Sequence, residues 1–453
     1  MKKRQESAGA DMALATRPTL AAWLREYDAI ERDYIEAFRS RGVAFAPRGF
    51  LGRETAAAKR RLRAADARFR NGDASISCGR LSSACVACTG DCGSKTFFLS
   101  LECNRSCYFC FNGNQADYDS RRLLNGAWRE ELDAFFSACG GARNVTHIGL
   151  TGGEPLLHAD QAVAFIAYAH ERAPQAHLRM YTAGDFLDEA LLARLRDAGL
   201  AELRISVKLD VLDDEACSRR VISEAARRCG AAARFIPQVM VEMPVIPGTD
   251  AAMRSLLREL DAADVFGVNL LEFGYPMGAW DEFGARGFQV KNPPFPVIYD
   301  WGYAGGLPIA GSELACLELV EFALHEGLRL GVHYCSLENK NRDQVFQQNR
   351  ELAPDEAVYE QSADDFFFKT LKFFDGDAEA VAARIVDRGL QEHAALEEDG
   401  TLLVHPSYLR DLQGLDVMPA LSINVVEGGD DGPMLRELKL ELVDVEKDEV
   451  CDA

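Results

Sequence analysis

Three closely spaced cysteines constrain this chain more than any other feature. Cys103, Cys107 and Cys110 are separated by three and then two residues, and they follow the apolar run over residues 96–101. Three thiolates on one short loop can hold three corners of a 4Fe–4S cluster and leave the fourth iron open to a substrate or cofactor. The alternatives are that these cysteines form part of a zinc site or are simply buried thiols. Zinc normally takes four ligands, and this loop supplies three. The spacing therefore predicts an iron–sulfur cluster with one open iron.

A glycine-rich run lies further along the chain. The sequence Gly-Leu-Thr-Gly-Gly-Glu-Pro over residues 149–155 follows a second apolar run that is typical of a strand. Alone it would indicate only a turn. Together with the cysteines and with Phe109 directly before the last of them, it resembles the radical S-adenosylmethionine (SAM) superfamily. The resemblance implies that the open iron chelates SAM and that the reduced cluster cleaves SAM to a 5′-deoxyadenosyl radical.

The same resemblance predicts that Gly152, Gly153 and Glu154 bind SAM. Glycine carries no Cβ, so we expect the backbone at these positions to approach the methionine amine closely. The three cysteines are then the predicted catalytic and metal-binding residues.

The length and composition predict a soluble globular enzyme. The chain has 453 residues, of which 48% are hydrophobic, enough for a sizeable core and more than one ordinary domain. No stretch approaches the roughly 18 consecutive apolar residues that a membrane span requires. The basic N-terminus is followed by charged residues rather than an apolar core. We therefore expect a cytoplasmic protein with no membrane partner.

The charge balance argues against nucleic acid as a partner. The chain carries 71 acidic and 50 basic residues, a formal net charge of −21. Nucleic-acid binding depends on Lys and Arg that neutralise phosphates. The simplest explanation of the acidic excess is solubility, although a basic peptide or an arginine-bearing substrate would be attracted.

The middle of the chain alternates short apolar runs with amphipathic stretches of helical length. This alternation is typical of parallel strands joined by right-handed helical crossovers. It predicts an α/β fold, a partial (β/α)6 barrel of the radical SAM type, with the reacting groups at the carboxyl ends of the strands. The predicted strands cover residues 96–101, 145–151, 177–183, 202–208, 236–243 and 267–273. The predicted helices between them cover residues 124–138, 159–172, 187–198, 211–229 and 250–264.

We divide the chain into four predicted regions. These are a helical N-terminal extension (1–77), a four-cysteine metal loop (78–93), the partial barrel (94–280) and a C-terminal α+β region (281–453). Two charged helices are expected within residues 18–72. A further helix is expected near 312–327 and a strand near 328–335, and the acidic residues 444–452 are predicted to form a solvated tail.

The four-cysteine loop is a second candidate metal site. Cys78, Cys85, Cys88 and Cys92 are interleaved with glycines, and four thiolates suit a tetrahedral iron or zinc ion. We predict a single Fe or Zn ion with a structural role, and an auxiliary iron–sulfur cluster and plain thiols are the alternatives. The remaining cysteines are expected to be inert: Cys139, Cys217, Cys229, Cys316 and Cys451.

Further cofactor-binding residues are predicted at the ends of the barrel strands. Thr182 follows the third strand, and Ser206 and Lys208 lie on the fourth, where radical SAM folds usually contact the ribose and carboxylate of SAM. A polar side chain that points inward there would satisfy cofactor groups that are otherwise desolvated at a cost. Packing at the barrel mouth explains these residues equally well.

Three other residues are candidates for the same site. Phe109 is predicted to lie against the adenine of SAM, and Val245 begins a stretch that resembles the adenine-lining segment of radical SAM enzymes. Tyr118 follows the cysteine loop and is predicted to reach the open iron or the substrate. A half-buried anchoring role is the alternative for this tyrosine.

Three features resemble the methanogenesis-marker family of radical SAM enzymes that C-methylate an arginine of methyl-coenzyme M reductase. They are the four-cysteine loop, the run Asn-Leu-Leu-Glu-Phe-Gly-Tyr-Pro over residues 269–276 and the run His-Tyr-Cys-Ser-Leu-Glu-Asn-Lys over residues 333–340. The resemblance covers roughly residues 75–450.

That resemblance implies a cobalamin-dependent methyltransferase acting on an unactivated sp3 carbon of a peptide or protein. It also implies cobalamin or substrate binding in the C-terminal half, an iron held by the four-cysteine loop, and a reductant such as flavodoxin or ferredoxin. No Asp-x-His-x-x-Gly occurs in the chain, so the usual histidine ligand to cobalt is missing.

Two other functions remain open. A cobalamin-independent radical SAM maturase that epimerises or crosslinks a ribosomal peptide is the main alternative, although such enzymes often carry cysteine runs after the barrel and none follows Cys110. A zinc-stabilised binding protein without catalysis is disfavoured by the intact cysteine and glycine motifs. The polar set over residues 333–340 fits either a pocket at a strand end or a satisfied core histidine.

Overall fold

The chain folds into two compact units. A computed structural model describes residues 14–114, 118–209, 215–276, 280–301, 306–430, 432–445 and 449–450. The start of the predicted helix 211–229, part of the predicted acidic tail and Cys451 lie outside these residues. The first unit comprises Gly42–Pro294 and Trp301–Asp343, and the second comprises Met1–Arg41, Phe295–Asp300 and Gln344–Ala453.

The strands and helices are numbered here in chain order. The strands are β1 (Arg68–Arg70), β2 (Ser75–Cys78), β3 (Ser94–Phe98), β4 (His147–Thr151), β5 (His177–Thr182), β6 (Glu202–Ile205), β7 (Gln238–Val245), β8 (Gly267–Glu272), β9 (Gly274–Tyr275), β10 (Leu307–Pro308), β11 (Gly331–Cys335), β12 (Glu360–Gln361), β13 (Phe368–Phe373), β14 (Ala394–Leu396), β15 (Leu402–Val404), β16 (Ala420–Gly429), β17 (Gly432–Asp444) and β18 (Glu449–Val450). The helices are α1 (Pro18–Arg39), α2 (Gly52–Ala64), α3 (Ser83–Ala87), α4 (Tyr118–Arg121), α5 (Trp128–Ala138), α6 (Ala159–Arg172), α7 (Glu189–Asp197), α8 (Glu215–Ala233), α9 (Asp250–Ala262), α10 (Trp280–Ala285), α11 (Ser312–Glu326), α12 (Leu337–Gln348) and α13 (Asp375–Arg388). Short 3-10 helices cover Phe111–Asn114, Ala142–Asn144, Pro155–His158, Gln391–His393 and Pro406–Leu412.

The first unit is built on a nine-stranded sheet in the order β1-β2-β11-β8-β7-β6-β5-β4-β3. Neighbouring strands from β3 to β8 pair in parallel, as the alternation of the sequence predicts. The α/β fold with a parallel sheet is therefore confirmed. All six predicted strands and the five predicted helices between them are present, with ends that differ by a few residues.

The parallel array has seven strands rather than the predicted six. β11 pairs in parallel with β8, with Val332 opposite Val268, and β2 pairs antiparallel with the other side of β11. The helix and the strand predicted near 312–327 and 328–335 are α11 and β11. The strand β11 extends the same sheet. The prediction missed this because the irregular insertion between β8 and α11 interrupts the alternation.

The two faces of this sheet differ in chemistry. Side chains alternate along a strand, and residues such as Ile148, Leu178 and Leu203 are fully buried in the hydrophobic core with the surrounding helices. The residues that alternate with them include charged and polar side chains that are also buried, among them Arg179 and Arg204. The face of the sheet that carries Arg179 and Arg204 is therefore polar but shielded from water.

The segment over residues 79–93 passes from one edge of the sheet to the other. It leaves β2 at Cys78, opposite Val332 near the start of β11, and it enters β3 at Ser94, beside His147 at the start of β4. The segment contains α3, which begins after Ser82. The Ser82 hydroxyl accepts a hydrogen bond from the Ala84 N–H at 3.1 Å and donates one to Glu202 at the start of β6. The segment thus lies against the N-terminal ends of the parallel strands.

Two histidines of the first unit predict a loss of stability in mild acid. Burial, together with His177, lowers the pKa of His147 to about 4, and burial together with Arg204 lowers the pKa of His333 to about 3. Below pH 6.5 these histidines take up protons in the unfolded chain but stay neutral in the folded one, so stability falls as the pH drops towards the folded pKa values. Between pH 6.5 and 5 we expect each histidine to reduce the free energy of unfolding by about 2 kcal/mol.

Urea unfolding of the cluster-free protein at pH 7.5 and pH 5 measures this effect. The His147 ring bonds to the hydroxyls of Thr146 and Ser83, with Nε2 at 3.1 Å from the latter, and its Nδ1 lies 3.8 Å from Asp91 Oδ2. His147→Gln therefore keeps a polar side chain there that does not titrate. We expect this variant to lose less stability between the two pH values than the wild type. An equal loss in both proteins would exclude His147 as a source of the pH dependence.

The second unit has the α+β composition predicted for the C-terminal region. A sheet in the order β14-β15-β13-β16-β17-β18 carries β12 on β13, and α13 packs on it through Val381 and Ile385. The first charged helix, predicted as part of an N-terminal extension, belongs to this unit as α1. Its Leu20 lies in a cluster with Phe374 and Leu440.

No helix among the described residues is both long enough and apolar enough to cross a membrane.

Candidate active site

The three cysteines of the loop border one cavity at the carboxyl ends of the parallel strands. The cavity encloses about 260 Å³ and is lined by Cys103, Cys107 and Cys110 together with Gly152 and Gly153. No other cysteine and no histidine among the described residues lines it. Three thiols without a further cysteine or histidine fit a 4Fe–4S cluster that keeps one iron open.

Hydrogen bonds hold the cysteine loop at its start and within the loop itself. At its start the Leu101 N–H donates to the Arg121 carbonyl at 2.8 Å. Within it, Arg105 Nε and Asn104 Nδ2 donate to Asp185 at 2.7 and 3.0 Å. Arg228 donates to the same carboxylate at 3.0 Å, and the pKa of Asp185 is lowered chiefly by its hydrogen bond with Arg105. The charged anchor therefore ties the loop to the end of β5.

The thiols of this loop act electrostatically on one another. Burial raises the pKa of both Cys103 and Cys110, and the neighbouring thiol of Cys107 raises both further. Lys208 lowers both pKa values. Cluster binding requires thiolates, and the positive charge of Lys208 favours them at this site, as does that of Arg105, which also interacts electrostatically with Cys103 and Cys107.

The two glycines make a close approach between two backbone segments possible, and their contact with SAM stays a prediction. Gly153 N–H donates to the Ser100 carbonyl at 2.9 Å, and the next residue's N–H donates to the Glu102 carbonyl at 2.7 Å. A Cβ on Gly153 would collide with the Glu102 carbonyl, and one on Gly152 would collide with that of Ser100. Gly152 also has φ of +132°. The glycines therefore allow the turn after β4 to pack directly on the segment that leads into Cys103.

Glu154 is predicted to bind SAM, but its carboxylate is engaged within the protein. Oε1 accepts from the Leu156 N–H at 3.0 Å and from the Thr182 hydroxyl at 2.8 Å, and Oε2 accepts from the Ala183 N–H at 2.7 Å. Burial raises its pKa, and these hydrogen bonds oppose that shift. Glu154 lines the cavity, and its carboxylate joins the turn after β4 to the end of β5.

We therefore expect Glu154→Gln to reduce both stability and SAM affinity. The amide replaces one acceptor oxygen by a donor, which leaves at least one buried N–H or hydroxyl without its partner at a cost of about 1–3 kcal/mol. Chemical unfolding and equilibrium SAM binding measure the two effects. Glu189→Gln is the matched control because the Glu189 side chain is 68% exposed. Wild-type stability in Glu154→Gln would show that the three hydrogen bonds contribute nothing.

The predicted residues on the third and fourth strands also line the cavity. Thr182 does so while its hydroxyl bonds to Glu154 and accepts from the Gly184 N–H at 3.0 Å. Lys208 Nζ donates to the Ser206 hydroxyl at 2.7 Å and lies 5.4 Å from the centre of the Phe109 ring. Phe109 lines the cavity as well, so its predicted contact with adenine stays open to test.

Two predicted residues lie outside the lining of this cavity. Tyr118 begins α4, and Val245 is buried with its carbonyl accepting from the Ser312 hydroxyl at 2.8 Å. At the end of β7 it is Met243 and Pro244 that reach the cavity. The predicted contact of the segment that begins at Val245 with adenine stays a prediction.

Several lining residues were not predicted from the sequence. They include Asn112, which donates to the Gly152 carbonyl at 2.7 Å, and side chains from the inner faces of the strands. The additional residues are Arg105, Phe111, Tyr181, Arg204, Glu242, Leu271, Glu272 and Phe273. A polar residue at every second position of a predicted strand is the signal that would have indicated Tyr181, Arg204 and Glu242.

The four-cysteine loop does not form the predicted single-ion site. Cys78 belongs to β2, and its thiol lies 3.9 Å from the Val320 carbonyl of α11. Cys92 is exposed. Among the described residues, no three His, Cys, Asp or Glu side chains converge on a position that fits one metal ion. The prediction of one iron or zinc held by these four residues is therefore not supported.

The reason lies in the local structure of the segment. Cys85 is in α3 and Cys88 caps it, so their spacing places them on one side of a helical turn. Both thiols act electrostatically on Cys335 of β11, and Cys85 Sγ accepts from Arg204 Nη2 at 3.3 Å. Cys78 precedes the turn into this segment and faces the other side of the sheet.

A comparison with protein-family models finds one match in the middle of the chain. Residues 98–260 match the model of the Radical SAM superfamily. The matched segment contains the cysteine loop, the glycine turn and the parallel strands β4 to β7. Over this segment, which is about a third of the chain, the sequence is similar to a radical SAM domain.

The relatives of the chain are diverse. It is 23% identical to a Methanocaldococcus jannaschii protein provisionally named a glycyl-radical enzyme activating enzyme, over 71% of this chain and 81% of the relative. It is also 32% and 28% identical to GTP 3′,8-cyclases of Campylobacter curvus and Nautilia profundicola, over 39% and 41% of this chain. It spans only 49% and 53% of these two cyclases, so the match concerns part of each protein.

Solved radical SAM structures resemble the chain weakly. Coproporphyrinogen III oxidase from Escherichia coli covers 75% of this chain and 69% of its own length with a TM-score of 0.32 and 12% identity. The radical SAM methyltransferase TsrM from Kitasatospora setae covers 60% of this chain and 54% of its own length with a TM-score of 0.31 and 16% identity. At such TM-scores neither likeness supports a conclusion about activity.

Proposed function

We propose that the chain cleaves SAM in the cavity bordered by Cys103, Cys107 and Cys110, and uses the resulting radical on a carbon–hydrogen bond of a peptide or protein substrate. The observation that carries this proposal is that the three cysteines, the glycine turn and Lys208 border one cavity within a radical SAM domain. When bound, a reduced 4Fe–4S cluster supplies the electron that breaks a carbon–sulfur bond of SAM.

The protein's own contribution is position and the exclusion of water. Gly152 and Gly153 fix the turn after β4 against the start of the cysteine loop, and Glu154 fixes the same turn to the end of β5. Lys208 supplies positive charge beside the thiolates and the carboxylate of SAM. An adenosyl radical attacks whatever is nearest, so the reaction requires that water be excluded and that the substrate be the group held closest to the radical.

For the overall reaction we propose methylation of an unactivated sp3 carbon, such as one in an arginine residue. This choice and the peptide substrate rest on the resemblance of the four-cysteine segment and of residues 269–276 and 333–340 to the arginine C-methyltransferases. A flavodoxin or ferredoxin is the proposed reductant. The described residues that line the cavity include no histidine to ligate cobalt, and no Asp-x-His-x-x-Gly occurs. The residues present thus do not fit the usual mode of cobalamin binding, and we derive no step through it.

Anaerobic reconstitution tests the proposal. The protein with iron, sulfide, dithionite and SAM is expected to release 5′-deoxyadenosine, detected by liquid chromatography and mass spectrometry. Absence of this product from protein that carries a full cluster would refute the proposed function. Production in cells supplied with cobalamin then tests the methylation step, because retention of a corrinoid absorption band is expected of a cobalamin-dependent methyltransferase.

A cobalamin-independent peptide maturase is the second candidate. The missing histidine motif favours it, since epimerisation and crosslinking need no cobalt ligand. Release of 5′-deoxyadenosine from protein that retains no corrinoid would support this candidate over the methyltransferase. Mass spectrometry of proteins from cells with and without the chain would then show either a mass gain of one methylene unit or none.

A further inference from the structure

We propose that Asp185 is the positioning residue of the cysteine loop and that its charge keeps the bound cluster strongly reducing. The residue follows β5, and it is not among the described residues that line the cavity. It acts on the site through Arg105, which does line the cavity. The inference rests on the proposed function, because it concerns the cluster which that function requires. Asp185 was not a predicted site residue.

Asp185 is the hydrogen-bond partner of the part of the loop between its first two cysteines. Its Oδ2 accepts from Asn104 Nδ2 at 3.0 Å and from Arg105 Nε at 2.7 Å, and its Oδ1 accepts from Arg105 Nη2 at 2.5 Å. Among the described residues, no other hydrogen bond joins residues 103–107 to the chain outside the cysteine loop. The placement of the first two cluster ligands therefore depends on one carboxylate.

This ion pair differs from an ordinary surface pair, which contributes little to stability. The Arg105 guanidinium meets the carboxylate with two N–H groups, an arrangement that adds geometric specificity as well as energy. The Asp185 side chain is only 20% exposed. Arg228 of α8 donates to its Oδ1 from another direction, at 3.0 Å. Asp185 is therefore itself fixed, and it can fix the loop.

The segment that carries Asp185 also holds the glycine turn. Glu154 of that turn accepts from the Thr182 hydroxyl at 2.8 Å and from the Ala183 N–H at 2.7 Å. Gly184, directly before Asp185, has φ of +77°, a conformation that glycine adopts without steric cost. Four consecutive residues after β5 thus bind both the glycine turn and the cysteine loop. They set the position of one motif relative to the other.

The charge of Asp185 balances a cation beside the cysteines. Arg105 interacts electrostatically with the thiols of Cys103 and Cys107, and Asp185 is the carboxylate that pairs with it. A positive charge next to an iron–sulfur cluster stabilises the reduced form, which carries one more electron, and charge is among the factors that set the reduction potential. By balancing Arg105, Asp185 keeps the potential low, as the reductive cleavage of SAM requires.

Redox titration of the reconstituted cluster, followed by electron paramagnetic resonance, tests the electrostatic effect. Asp185→Asn removes the negative charge and is expected to shift the equilibrium towards the reduced cluster about three- to tenfold, a rise of about 30–60 mV for one electron. Arg105→Gln removes the positive charge and is expected to lower the potential. The variant with both substitutions is expected to return towards the wild-type value. Shifts of the same sign in both single variants, or no shift in either, would overturn the inference.

Loss of iron to a chelator tests the geometric effect. We expect Asp185→Asn to lose iron at least about tenfold faster than the wild type, the lower end of the effect of removing a group that supports a metal ligand. Asp185→Glu keeps the charge and both acceptor oxygens and is expected to lose iron more slowly than Asp185→Asn. Asp197→Asn is the matched control, because Asp197 pairs with Arg196 at 2.7 Å but its side chain is 66% exposed. Wild-type retention of iron in Asp185→Asn would contradict the positioning role.

Circular dichroism of the cluster-free proteins checks that the variants fold. If Asp185→Asn folds but takes up no cluster, the positioning role is supported, and Arg105→Gln carries the redox test. If Asp185→Asn does not fold, Arg105→Gln decides alone, and a potential equal to or above that of the wild type would overturn the inference.

Release of 5′-deoxyadenosine from SAM in the same samples tests the proposed function separately. If the wild type cleaves SAM but the potentials do not follow the charges, the inference fails and the proposed function stands. If the wild type holds a full cluster and cleaves no SAM, the proposed function fails, while the potentials and the loss of iron still decide the role of Asp185.

Discussion

Replacing Cys107 by alanine is expected to abolish the formation of 5′-deoxyadenosine from SAM. The three cysteines border one cavity, and no other cysteine or histidine among the described residues lines it. No second thiol or imidazole among the described lining residues can therefore replace the lost ligand. Substitution of a residue that only supports a metal ligand already costs about 10- to 100-fold, so loss of a ligand itself should exceed about 100-fold in rate.

The measurement combines product formation with iron content. Cys107→Ala is expected to retain less iron and sulfide after reconstitution than the wild type and to show a weaker absorption near the cluster bands. Cys139→Ala is the matched control, because Cys139 is not among the residues that line the cavity, and its thiol donates to the Cys92 carbonyl at 3.5 Å. Cleavage of SAM by Cys107→Ala at the wild-type rate would remove this cysteine from the site.

Gly153→Ala is expected to have an effect nearly as large, although it alters no ligand. The added methyl group would overlap the Glu102 carbonyl, which belongs to the backbone and accepts the hydrogen bond from the next residue's N–H. The backbone cannot rotate away as a side chain can, so the turn after β4 must separate from the segment that leads into Cys103. Overpacking of this kind costs about 3 kcal/mol.

The consequence should appear in cluster assembly before it appears in the fold. We expect Gly153→Ala to keep its secondary structure by circular dichroism, to unfold at lower urea concentration and to bind SAM at least about tenfold more weakly, the factor that corresponds to 1.4 kcal/mol. Gly126→Ala is the control, since a Cβ there meets nothing within 4 Å. Equal SAM affinity in both variants would show that the contact between the turn and the cysteine loop is dispensable.

The sequence predicts this fold well where local periodicity is uninterrupted. The parallel strands from β3 to β8 and the helices between them follow from alternating patterns that each span a few residues. β11 was predicted as a strand but not as part of the barrel sheet, because its place depends on pairing with β8 and β2 rather than on its own residues. Pairing between distant segments leaves no local pattern.

The cavity is predictable to the extent that its residues belong to contiguous motifs. Cys103, Cys107 and Cys110 meet where the spacing predicts, but the role of Gly153 depends on a carbonyl in another segment that no pattern near the glycine indicates. The four-cysteine segment shows the opposite case, in which residues close together in the sequence do not meet in space. Its spacing suggested one ion, whereas the direction of each strand and helix turns Cys78 away from Cys85 and Cys88.

The path of residues 79–93 across the sheet sets a practical limit on shortening this protein. A recombinant fragment trimmed to the superfamily match, residues 98–260, would lose β3, β8 and β11. It would also lose the segment 79–93, which covers the start of β6. Glu202 would lose the hydrogen bond that the Ser82 hydroxyl donates to it. Without β8, the backbone N–H and C=O groups on one side of β7 would have no strand to pair with. Such an edge invites aggregation, so the smallest expressible form of the catalytic part must begin well upstream of the recognisable motif.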